Sequence, residues 1–446
     1  MNTPVCDFVR AYTEGDPVRM HMPGHKGRAI VGPEALDLTE IGEADVLYRA
    51  RGIIRESEDN AARLFGAART VYSAEGSSLC IRAMLYLALI TAKEKGLPAR
   101  LLAGRNAHRT LMTAAALLDI EIDWLLPAPG EDLLSCGAGA EEIDRKLNGG
   151  LYMAVYLTSP DYLGRRADLR GAAEVCRRHG VPLLVDNAHG AYLKFLPEDR
   201  HPLSLGAAAC CDSAHKTLSC LTGAAYLHLS ENAPDGWADR AEQAMSLFAS
   251  TSPYWLILQS LDRMNAELAG DYPEWICRAA DRTEETKKLL SAAGWHFTGD
   301  EPMKLVLDAA EYGYTGEELQ GILRRSGIES EFADRRYLVL MPSAETAEKD
   351  WRRLLAALRE VPRKEPLRDK APALPVPEQI LSVREAMLSP QETIPVEQAV
   401  GRILADACVG CPPAVPVVIA GERITEQAAA CMAYYGVPEC SVVVSG

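Results

Sequence analysis

Short apolar runs alternate with amphipathic helical segments between about residues 56 and 230. The runs TVYS, RLLAG, LYMAVYLT and PLLVD recur in this way, and TVYS is followed by the helical stretch SLCIRAMLYLALI. Buried parallel strands have this appearance because crossover helices cover both faces of their sheet. The pattern therefore predicts an α/β domain with a largely parallel sheet. Ligands of such sheets bind beyond the carboxyl ends of the strands, so the loops after these runs are candidate sites.

A second pattern follows a helical segment near Leu256 to Leu268. It consists of a helix over 276–293, a strand KLVLD, a helix near 317–325, a strand YLVLM and a helix over 344–358. This order predicts a small α+β domain. The stretch RKEPLRDKAPALPVPEQ is rich in proline and charge and predicts a linker to a last unit. We expect an N-terminal arm (1–28), a large domain (29–270), a small domain (271–362), a linker (363–376) and a C-terminal domain (377–446).

The bulk composition narrows the class of protein. The chain has 446 residues, of which 48% are hydrophobic, so it can bury a sizeable core. The N-terminus lacks the order of a signal peptide and no apolar run reaches the length of a membrane span, so we expect a cytoplasmic protein without membrane contact. The formal charge of −15 disfavours nucleic acid as a partner, because phosphate binding requires basic patches.

The cysteines predict neither disulfides nor a metal centre. Twelve cysteines in so long a chain are typical of reduced thiols inside a cell rather than of a disulfide framework. Cys408 and Cys411 form a CxxC, but no second CxxC or nearby histidine completes a zinc set. We therefore expect no metal site.

The stretch DSAHKTLS places Lys216 directly after an apolar run, in a segment too short for an amphipathic helix. Taken alone, such a lysine is usually a solvated loop residue. Asp186 ends the apolar run PLLVD, where an unpaired carboxylate is costly to bury, so we expect it to face a cation. A lysine amine that bonds an aldehyde and a carboxylate that pairs with a pyridinium nitrogen are what pyridoxal phosphate requires of a protein. Together, the two residues predict that cofactor.

A phosphate site is predicted at the start of the helix that follows TVYS. Gly76, Ser77 and Ser78 open this helix, where free backbone N–H groups, the helix dipole and hydroxyl donors together attract anions. The same residue types are also common in ordinary turns and N-caps. Their position at the predicted sheet edge favours the phosphate, and Ser213 and His215 beside the lysine would add donors.

Two further strand ends carry candidate contacts. His108, in RNAHRT after RLLAG, is predicted to stack on the cofactor ring, although a lone histidine at a strand end is more often a loop residue. Thr158, at the end of LYMAVYLT, is predicted to contact the ring or the substrate. Glu75 precedes the phosphate site, where its charge is unfavourable unless the side chain turns away.

Six motifs resemble, in this order, the ornithine/lysine/arginine decarboxylase family of fold-type-I pyridoxal phosphate enzymes: HMPGHKG at 21–27, GSS at 76–78, RNAHRT, TSPDYLG, DNAHGAY and SAHKTL. TSPYWLILQSLD at 251–262 resembles that family's loop to the neighbouring subunit's site. AVGRI and CPPAVPVVIAGERIT resemble its C-terminal domain. The likeness spans nearly the whole chain and is to shorter bacterial members without an N-terminal wing domain.

The resemblance implies a fold and a set of residue roles. The large domain would have the fold-type-I architecture and bind pyridoxal 5'-phosphate. Lys216 would hold the cofactor covalently, and Asp186 would pair with the pyridine nitrogen. The other implied contacts are His108 stacked on the ring, Ala188 behind it, His189 near the ring hydroxyl, and Gly76, Ser77, Ser78, Ser213 and His215 at the phosphate.

The implied activity is decarboxylation of arginine, lysine or ornithine to the amine, as in polyamine metabolism. Lys216 or His215 would return a proton to the substrate after carbon dioxide leaves. A homodimer or larger homo-oligomer with shared sites is implied. An aminotransferase or carbon–sulfur lyase is the alternative, because Arg335 and Arg336 would suit a carboxylate clamp, although we favour a solvated pair. A degenerate, non-catalytic cofactor-binding protein is the third possibility.

The sequence departs from the family pattern at several positions. The family usually has threonine at Ser77 and Ala214, glutamate at Asn187, and tyrosine and glycine at Cys411 and Ala414. Its usual PGE also becomes AGE in this chain. The cofactor residues are thus largely intact, while the segments that shape the substrate end differ. The sequence therefore predicts the cofactor more firmly than the substrate.

Overall fold

A computed structural model describes residues 1–127, 133–136, 139–368, 371–372, 374, 378–406, 410–411 (backbone only) and 415–444. The chain divides into two compact units. The first contains residues 1–98, 153–159 and 169–277, and the second contains residues 99–152, 160–168 and 278–446. The domain boundaries given above stay a prediction.

Helices and strands alternate through much of the chain. The α-helices are α1 (Pro4–Glu14), α2 (Ile53–Phe65), α3 (Ser77–Glu94), α4 (Arg109–Leu118), α5 (Ala140–Gly149), α6 (Leu169–His179), α7 (Ala214–Thr217), α8 (Trp237–Ser246), α9 (Trp255–Leu268), α10 (Tyr272–Ala292), α11 (Gly316–Arg325), α12 (Glu348–Glu360), α13 (Val383–Leu388) and α14 (Glu426–Tyr434). The strands are β1 (Arg69–Ser73), β2 (Arg100–Gly104), β3 (Glu121–Leu125), β4 (Ala154–Thr158), β5 (Leu183–Asp186), β6 (Ala209–Asp212), β7 (Ala225–Leu229), β8 (Phe297–Thr298), β9 (Leu305–Asp308), β10 (Phe332–Ala333), β11 (Tyr337–Leu340), β12 (Gln391–Pro395), β13 (Gly410–Cys411), β14 (Val415–Pro416) and β15 (Glu439–Val443).

The sheet of the first unit positions the candidate site. Its strands lie in the order β1-β7-β6-β5-β4. β4, β5 and β6 pair in parallel, whereas β7 runs antiparallel to its neighbours β6 and β1. All residues of β5 and β6 are buried, which explains why these strands are continuous apolar runs rather than alternating ones. The predicted α/β fold with a largely parallel sheet is confirmed, and the antiparallel β7 is the part that the apolar runs did not reveal.

The second unit contains several smaller elements. β2 and β3 pair in parallel, and an antiparallel sheet has the order β10-β11-β9-β8. Two further antiparallel pairs, β12 with β15 and β13 with β14, belong to its C-terminal segment. The strands β9 and β11 and the helices α11 and α12 share one hydrophobic core, which includes Trp295, Leu307, Leu319, Leu338 and Leu358. These are the elements that the second sequence pattern predicted.

The predicted helix over 344–358 begins later in the structure. Its first residues form a turn instead, in which the Thr346 hydroxyl accepts a hydrogen bond from the Ser343 N–H at 2.9 Å. The helix α12 begins at Glu348, with Glu348 and Asp350 in its first turn. Acidic side chains there are favourable next to the positive end of the helix dipole. The helical periodicity of the apolar residues extends through this turn, so it does not mark the helix start.

The ten described cysteines form no disulfide with one another. Cys408 and the side chain of Cys411, which form the CxxC, lie outside the described residues. Across the described part of the chain, every helix is too short or too polar to traverse a bilayer.

We predict that Trp295→Ala strongly destabilises the protein. The Trp295 indole is 2% exposed and stacks on Tyr312 with ring centroids 3.7 Å apart. Loss of a buried aromatic side chain costs about 3–5 kcal/mol, because it removes burial and leaves a cavity. Trp275 is 40% exposed, so Trp275→Ala is the control, with an expected loss below about 1 kcal/mol. Urea unfolding of both variants measures the two losses, and equal values would contradict this core assignment.

Candidate active site

Three parallel strands of the first unit end at the same edge of the sheet. The register places Thr158 at the end of β4 opposite Asp186 at the end of β5, and Asp186 opposite Cys211 in β6. The loops that follow parallel strands emerge at one edge, where α/β sheets bind their ligands. The structure thus brings Thr158, Asp186 and the segment 212–216 together.

The carboxylate of Asp186 is 2% exposed and has neutral hydrogen-bond donors around it. The Tyr156 hydroxyl donates to Oδ2 at 3.2 Å, and the Ala188 N–H donates to Oδ1 at 3.2 Å. The Cys211 thiol lies 3.6 Å from Oδ1. These donors orient the carboxylate but do not neutralise it, so a cationic partner would still lower the cost of burying the charge. Tyr156 and Cys211 are contacts that the sequence did not indicate.

Lys216 lies on α7, a single helical turn that directly follows β6. Its neighbours Ala214 and Thr217 are buried, whereas Lys216 itself is exposed. The lysine Nζ lies 3.0 Å from Nε2 of His189, in the loop after β5. The turn therefore holds an accessible amine against the loop that directly follows Asp186.

The start of α3 has the features of an anion site. Gly76 precedes the first helical residue with a φ of 72°, a conformation that strains an L side chain. The Ser213 hydroxyl donates to the Ser77 hydroxyl at 2.8 Å, which joins this helix start to the end of β6. Ser78 follows and is partly buried. A helix start with serine hydroxyls beside it is suited to a phosphate.

The carboxylate of Glu75, whose charge is unfavourable next to an anion site, is hydrogen-bonded to a neighbouring loop. Its Oε1 accepts a hydrogen bond from the Ser250 N–H at 2.7 Å, in the loop before α9. The N–H of Gly76 donates to the Gly223 carbonyl at 2.7 Å. The Glu75 side chain is thus held by a neighbouring loop, which is the arrangement required if an anion is to bind at α3.

His215 is held by its backbone neighbour. Its Nδ1 donates to the Ala224 carbonyl oxygen at 2.9 Å. Burial lowers the pKa of the imidazole, the bond to Ala224 opposes this effect, and the charge of Lys216 adds to it. A neutral ring with its proton on Nδ1 has no proton on Nε2. A hydrogen bond from Nε2 to a phosphate therefore requires the protonated ring.

Thr158 lies at the sheet edge of the first unit, whereas His108 lies in the second unit. The Thr158 hydroxyl is buried without a hydrogen-bond partner among the described residues, so a group bound at the sheet edge could satisfy it. His108 lies in the second unit at the start of α4, where its Nδ1 accepts from the Thr110 N–H at 3.2 Å. Its stacking on a cofactor stays a prediction.

A buried polar network behind the loop after β5 was missed from the sequence. The carboxylate of Asp212 is fully buried and accepts from Asn187 Nδ2 at 2.7 Å and from His201 Nε2 at 2.9 Å. His228 Nε2 lies 3.5 Å from the same carboxylate. Burial raises the pKa of Asp212, but the two histidines outweigh it and hold that pKa below its usual value. The available signal was an aspartate at the end of a buried strand.

In the second unit, the motifs RNAHRT and AGERIT meet. Arg105 Nη2 lies 3.1 Å from Glu422 Oε2, and both side chains are buried. The same nitrogen donates to the Val417 carbonyl at 3.0 Å. The pair ties the residues before His108 to the C-terminal segment of this unit. The glutamate of AGE thus has a structural partner that sequence reasoning did not identify.

The two arginines considered as a substrate clamp have partners within the second unit. Arg336 Nη2 lies 2.8 Å from Asp308 Oδ2. The guanidinium of Arg335 lies 5.0 Å from the centre of the Tyr434 ring, a cation–π contact. These contacts give both arginines structural roles and weaken the case for a clamp.

Comparison with solved structures identifies the fold. The chain is similar to the Escherichia coli constitutive lysine decarboxylase, with a TM-score of 0.79, 18% identity, and coverage of 99% of this chain and 82% of that chain. It is similar to a Francisella novicida lysine decarboxylase, with a TM-score of 0.77, 18% identity, and coverage of 98% and 79%. A Sphingomonas wittichii serine palmitoyltransferase aligns with a TM-score of 0.53 at 14% identity, over 71% of this chain and 78% of that one. The architecture is that of fold-type-I α/β enzymes.

Comparison of sequences identifies the family. Residues 3–306 match the Orn/Lys/Arg decarboxylase major domain, and residues 375–440 match the Orn/Lys/Arg decarboxylase C-terminal domain. Arginine decarboxylases of Bacillus subtilis and Halalkalibacterium halodurans are each 30% identical to this chain. The alignments cover 95% of this chain, and 92% and 91% of the two relatives, respectively. The chain therefore belongs to the Orn/Lys/Arg decarboxylase family and is an amino acid decarboxylase. The resemblance drawn from the motifs is confirmed.

We predict that His215→Gln flattens the pH dependence of stability in the cofactor-free protein. The fold lowers the imidazole pKa below 6.5, so its contribution is fully present above that value and is lost as the pH falls towards the folded-state pKa. The unfolding free energy should drop more in the wild type than in the variant between about pH 7.5 and 5.5. Urea unfolding at both pH values measures the drops. Equal drops would show that this ring does not titrate as described.

Proposed function

We propose that this chain binds pyridoxal phosphate through Lys216 and decarboxylates a basic amino acid, with arginine as the first substrate to test. One observation carries the proposal: Asp186 ends β5 and Lys216 follows the adjacent strand β6 at one sheet edge, with His189 3.0 Å from the lysine amine. The family match and the relatives named arginine decarboxylase support the reaction class. When bound, the cofactor supplies an electron sink for the pair released with carbon dioxide.

The residues at the sheet edge fit the parts of this cofactor. The start of α3, with Gly76, Ser77 and Ser78, would hold the phosphate together with Ser213. The unpartnered hydroxyl of Thr158 would find an acceptor or donor in the bound ligand. Ala188, partly buried directly after β5, would pack behind the ring. Each of these parts of the ligand would therefore meet a matching group.

Asp186 would keep a proton on the pyridine nitrogen. Its carboxylate is buried and oriented by Tyr156 and Ala188, so it is fixed before any ligand arrives. At an effective dielectric near 20 and a separation of about 4 Å, a charge pair is worth about 4 kcal/mol, or roughly three pKa units. That is enough to hold a proton that would otherwise leave near neutral pH.

Lys216 would return the proton to the substrate carbon. Its amine is accessible, and the His189 imidazole 3.0 Å away gives it a partner for proton exchange. His215 is less suited to this step, because its Nδ1 proton is bonded to the Ala224 carbonyl. The lysine therefore has both the position and the mobile proton that general acid catalysis requires.

The contacts of the two arginines considered as a carboxylate clamp favour decarboxylation over transamination. A strong arginine clamp would stabilise the charge that must disappear, so decarboxylases leave this group unpaired, whereas aminotransferases bind it tightly. Arg335 and Arg336 are already engaged by Tyr434 and Asp308. Decarboxylation is thus favoured over transamination.

The N-terminal segment supports a homo-oligomer. Val18, Met20 and Val31 are 84%, 90% and 89% exposed, a large apolar surface for one short segment. A second copy of the chain would cover these side chains, as the shared-site arrangement of the family implies. Sedimentation of the purified protein as a monomer would contradict this part of the proposal.

We predict that borohydride reduction of the cofactor-loaded protein fixes the label to Lys216 alone. Peptide mapping locates the label, and Lys216→Ala should abolish it. Arginine, lysine and ornithine are then supplied separately, and mass spectrometry detects an amine that lacks carbon dioxide. A label on another lysine would refute the assignment, and a keto acid product would refute decarboxylation.

We predict that Asp186→Asn lowers kcat/KM by about a thousandfold, which is the rate equivalent of about 4 kcal/mol. The amide keeps the shape of the side chain but loses the charge that holds the ring proton. Asp199→Asn is the matched control, because that carboxylate binds Lys194 at 2.6 Å in a surface loop. Steady-state kinetics of both variants test the role, and similar rates in the two would contradict it.

A further inference from the structure

We propose that Asn187 and Asp212 form a positioning pair that holds the two cofactor-binding loops against each other. This inference rests on the proposed function and adds two residues to it. Asn187 Nδ2 donates to Asp212 Oδ1 at 2.7 Å, and both side chains are fully buried. Asn187 directly follows Asp186, and Asp212 ends the strand before the turn of Lys216. The bond therefore joins the segment that contains Asp186 to the segment that contains Lys216.

The Asn187 side chain has no room to turn away. A Cβ at Gly190 would come within 2.0 Å of Asn187 Oδ1, so only glycine leaves space for the carboxamide. The Asn187 N–H donates to the Cys211 carbonyl at 3.0 Å, and the Gly190 N–H donates to the Asn187 carbonyl at 2.8 Å. Backbone and side chain thus fix this residue to β6 from both sides.

The Asp212 carboxylate is fixed in turn by the groups that face it. His201 Nε2 lies 2.9 Å from Oδ2, and His228 Nε2 lies 3.5 Å from it on β7. The Thr70 hydroxyl contacts His228 Nδ1 at 2.8 Å, which orients that ring. Hydrogen bonds to an ionised acceptor are stronger than neutral ones. Asp212 is therefore a rigid, charged anchor for Asn187, and not an adaptable side chain.

This pair explains one departure from the family pattern. The family usually has glutamate where Asn187 stands. A carboxylate at 187 would face the buried carboxylate of Asp212, and two like charges in that position are unfavourable. An amide donor removes the conflict and gains a hydrogen bond. The identities of residues 187 and 212 therefore depend on each other.

Asp212 also has a connection to the phosphate end of the site. The next residue, Ser213, donates to the Ser77 hydroxyl at 2.8 Å at the start of α3. A shift of Asp212 would move Ser213 and Lys216 together, because one short segment carries all three. Loss of the pair should thus weaken cofactor binding and not only the stability of the fold.

The test compares four variants by cofactor affinity and by thermal unfolding without cofactor. Asn187→Asp opposes two carboxylates, so we expect about tenfold weaker binding of pyridoxal phosphate in absorbance titrations. Asp212→Asn removes the charged anchor and should weaken binding by a similar factor. The double variant N187D/D212N restores one carboxamide facing one carboxylate, so it should bind pyridoxal phosphate at least about fivefold more tightly than Asn187→Asp alone.

Glu58→Gln is the control for a generic buried carboxylate. Glu58 is fully buried in the same unit and accepts from the Tyr72 N–H at 3.0 Å. It should lower the unfolding temperature but change cofactor affinity by less than about twofold. This contrast separates positioning of the cofactor loops from loss of stability.

Several results would overturn the pair. Wild-type affinity for pyridoxal phosphate in both single variants would contradict the proposed pair. A double variant that binds the cofactor no more tightly than Asn187→Asp would also contradict it. His201, Cys210 and Asp212 each offer a ligand-type atom within 4.8 Å of the others, so a stoichiometric metal in the purified protein that is lost in His201→Ala would assign Asp212 to a metal centre instead. Wild-type protein that takes up no cofactor would refute the proposed function and the pair together, whereas variants that bind the cofactor as tightly as the wild type would refute only the pair.

Discussion

A buried carboxylate at the end of β5 is the constraint on which the rest of the site depends. Asp186 is held in an apolar strand end by neutral donors, which orient its charge without cancelling it. A buried carboxylate without a cationic partner lowers the free energy of unfolding, because the charge has lost its hydration. A cationic ring nitrogen would satisfy that carboxylate. The same cationic ring nitrogen that would act in decarboxylation would thus also stabilise the buried carboxylate of Asp186.

The parallel sheet brings the other candidate groups to the same edge as this carboxylate. Because β4, β5 and β6 end at one edge, residues distant in the sequence meet there without long connections. The lysine follows β6, and His189 in the loop after β5 contacts its amine. Asn187 and Asp212 tie these same loops together by a buried, charge-assisted bond. Strand ends and buried hydrogen bonds therefore position these candidate groups.

The sequence predicted the local part of this arrangement and not the contacts across the fold. Buried strands appear as apolar runs, and Asp186 and Lys216 stand out because each follows such a run. The partners of Asp212 did not stand out, because His228 reaches it only when β6 and β7 pair, and His201 reaches it only through the fold of the loop before β6. The antiparallel direction of β7 was equally hidden, since an apolar run does not specify strand direction. Glu75 illustrates the same limit, because only the folded loop supplies Ser250 as its partner.

The protonation state of the cofactor ring tests the central claim most directly. Pyridoxal phosphate labelled with nitrogen-15 in the ring can be loaded into the wild-type protein, and the nitrogen chemical shift reports whether that atom carries a proton. We predict a protonated nitrogen at neutral pH and above, because the buried Asp186 carboxylate faces it. An unprotonated nitrogen at neutral pH would contradict the pairing of this carboxylate with the ring, and with it the placement of the cofactor at this sheet edge.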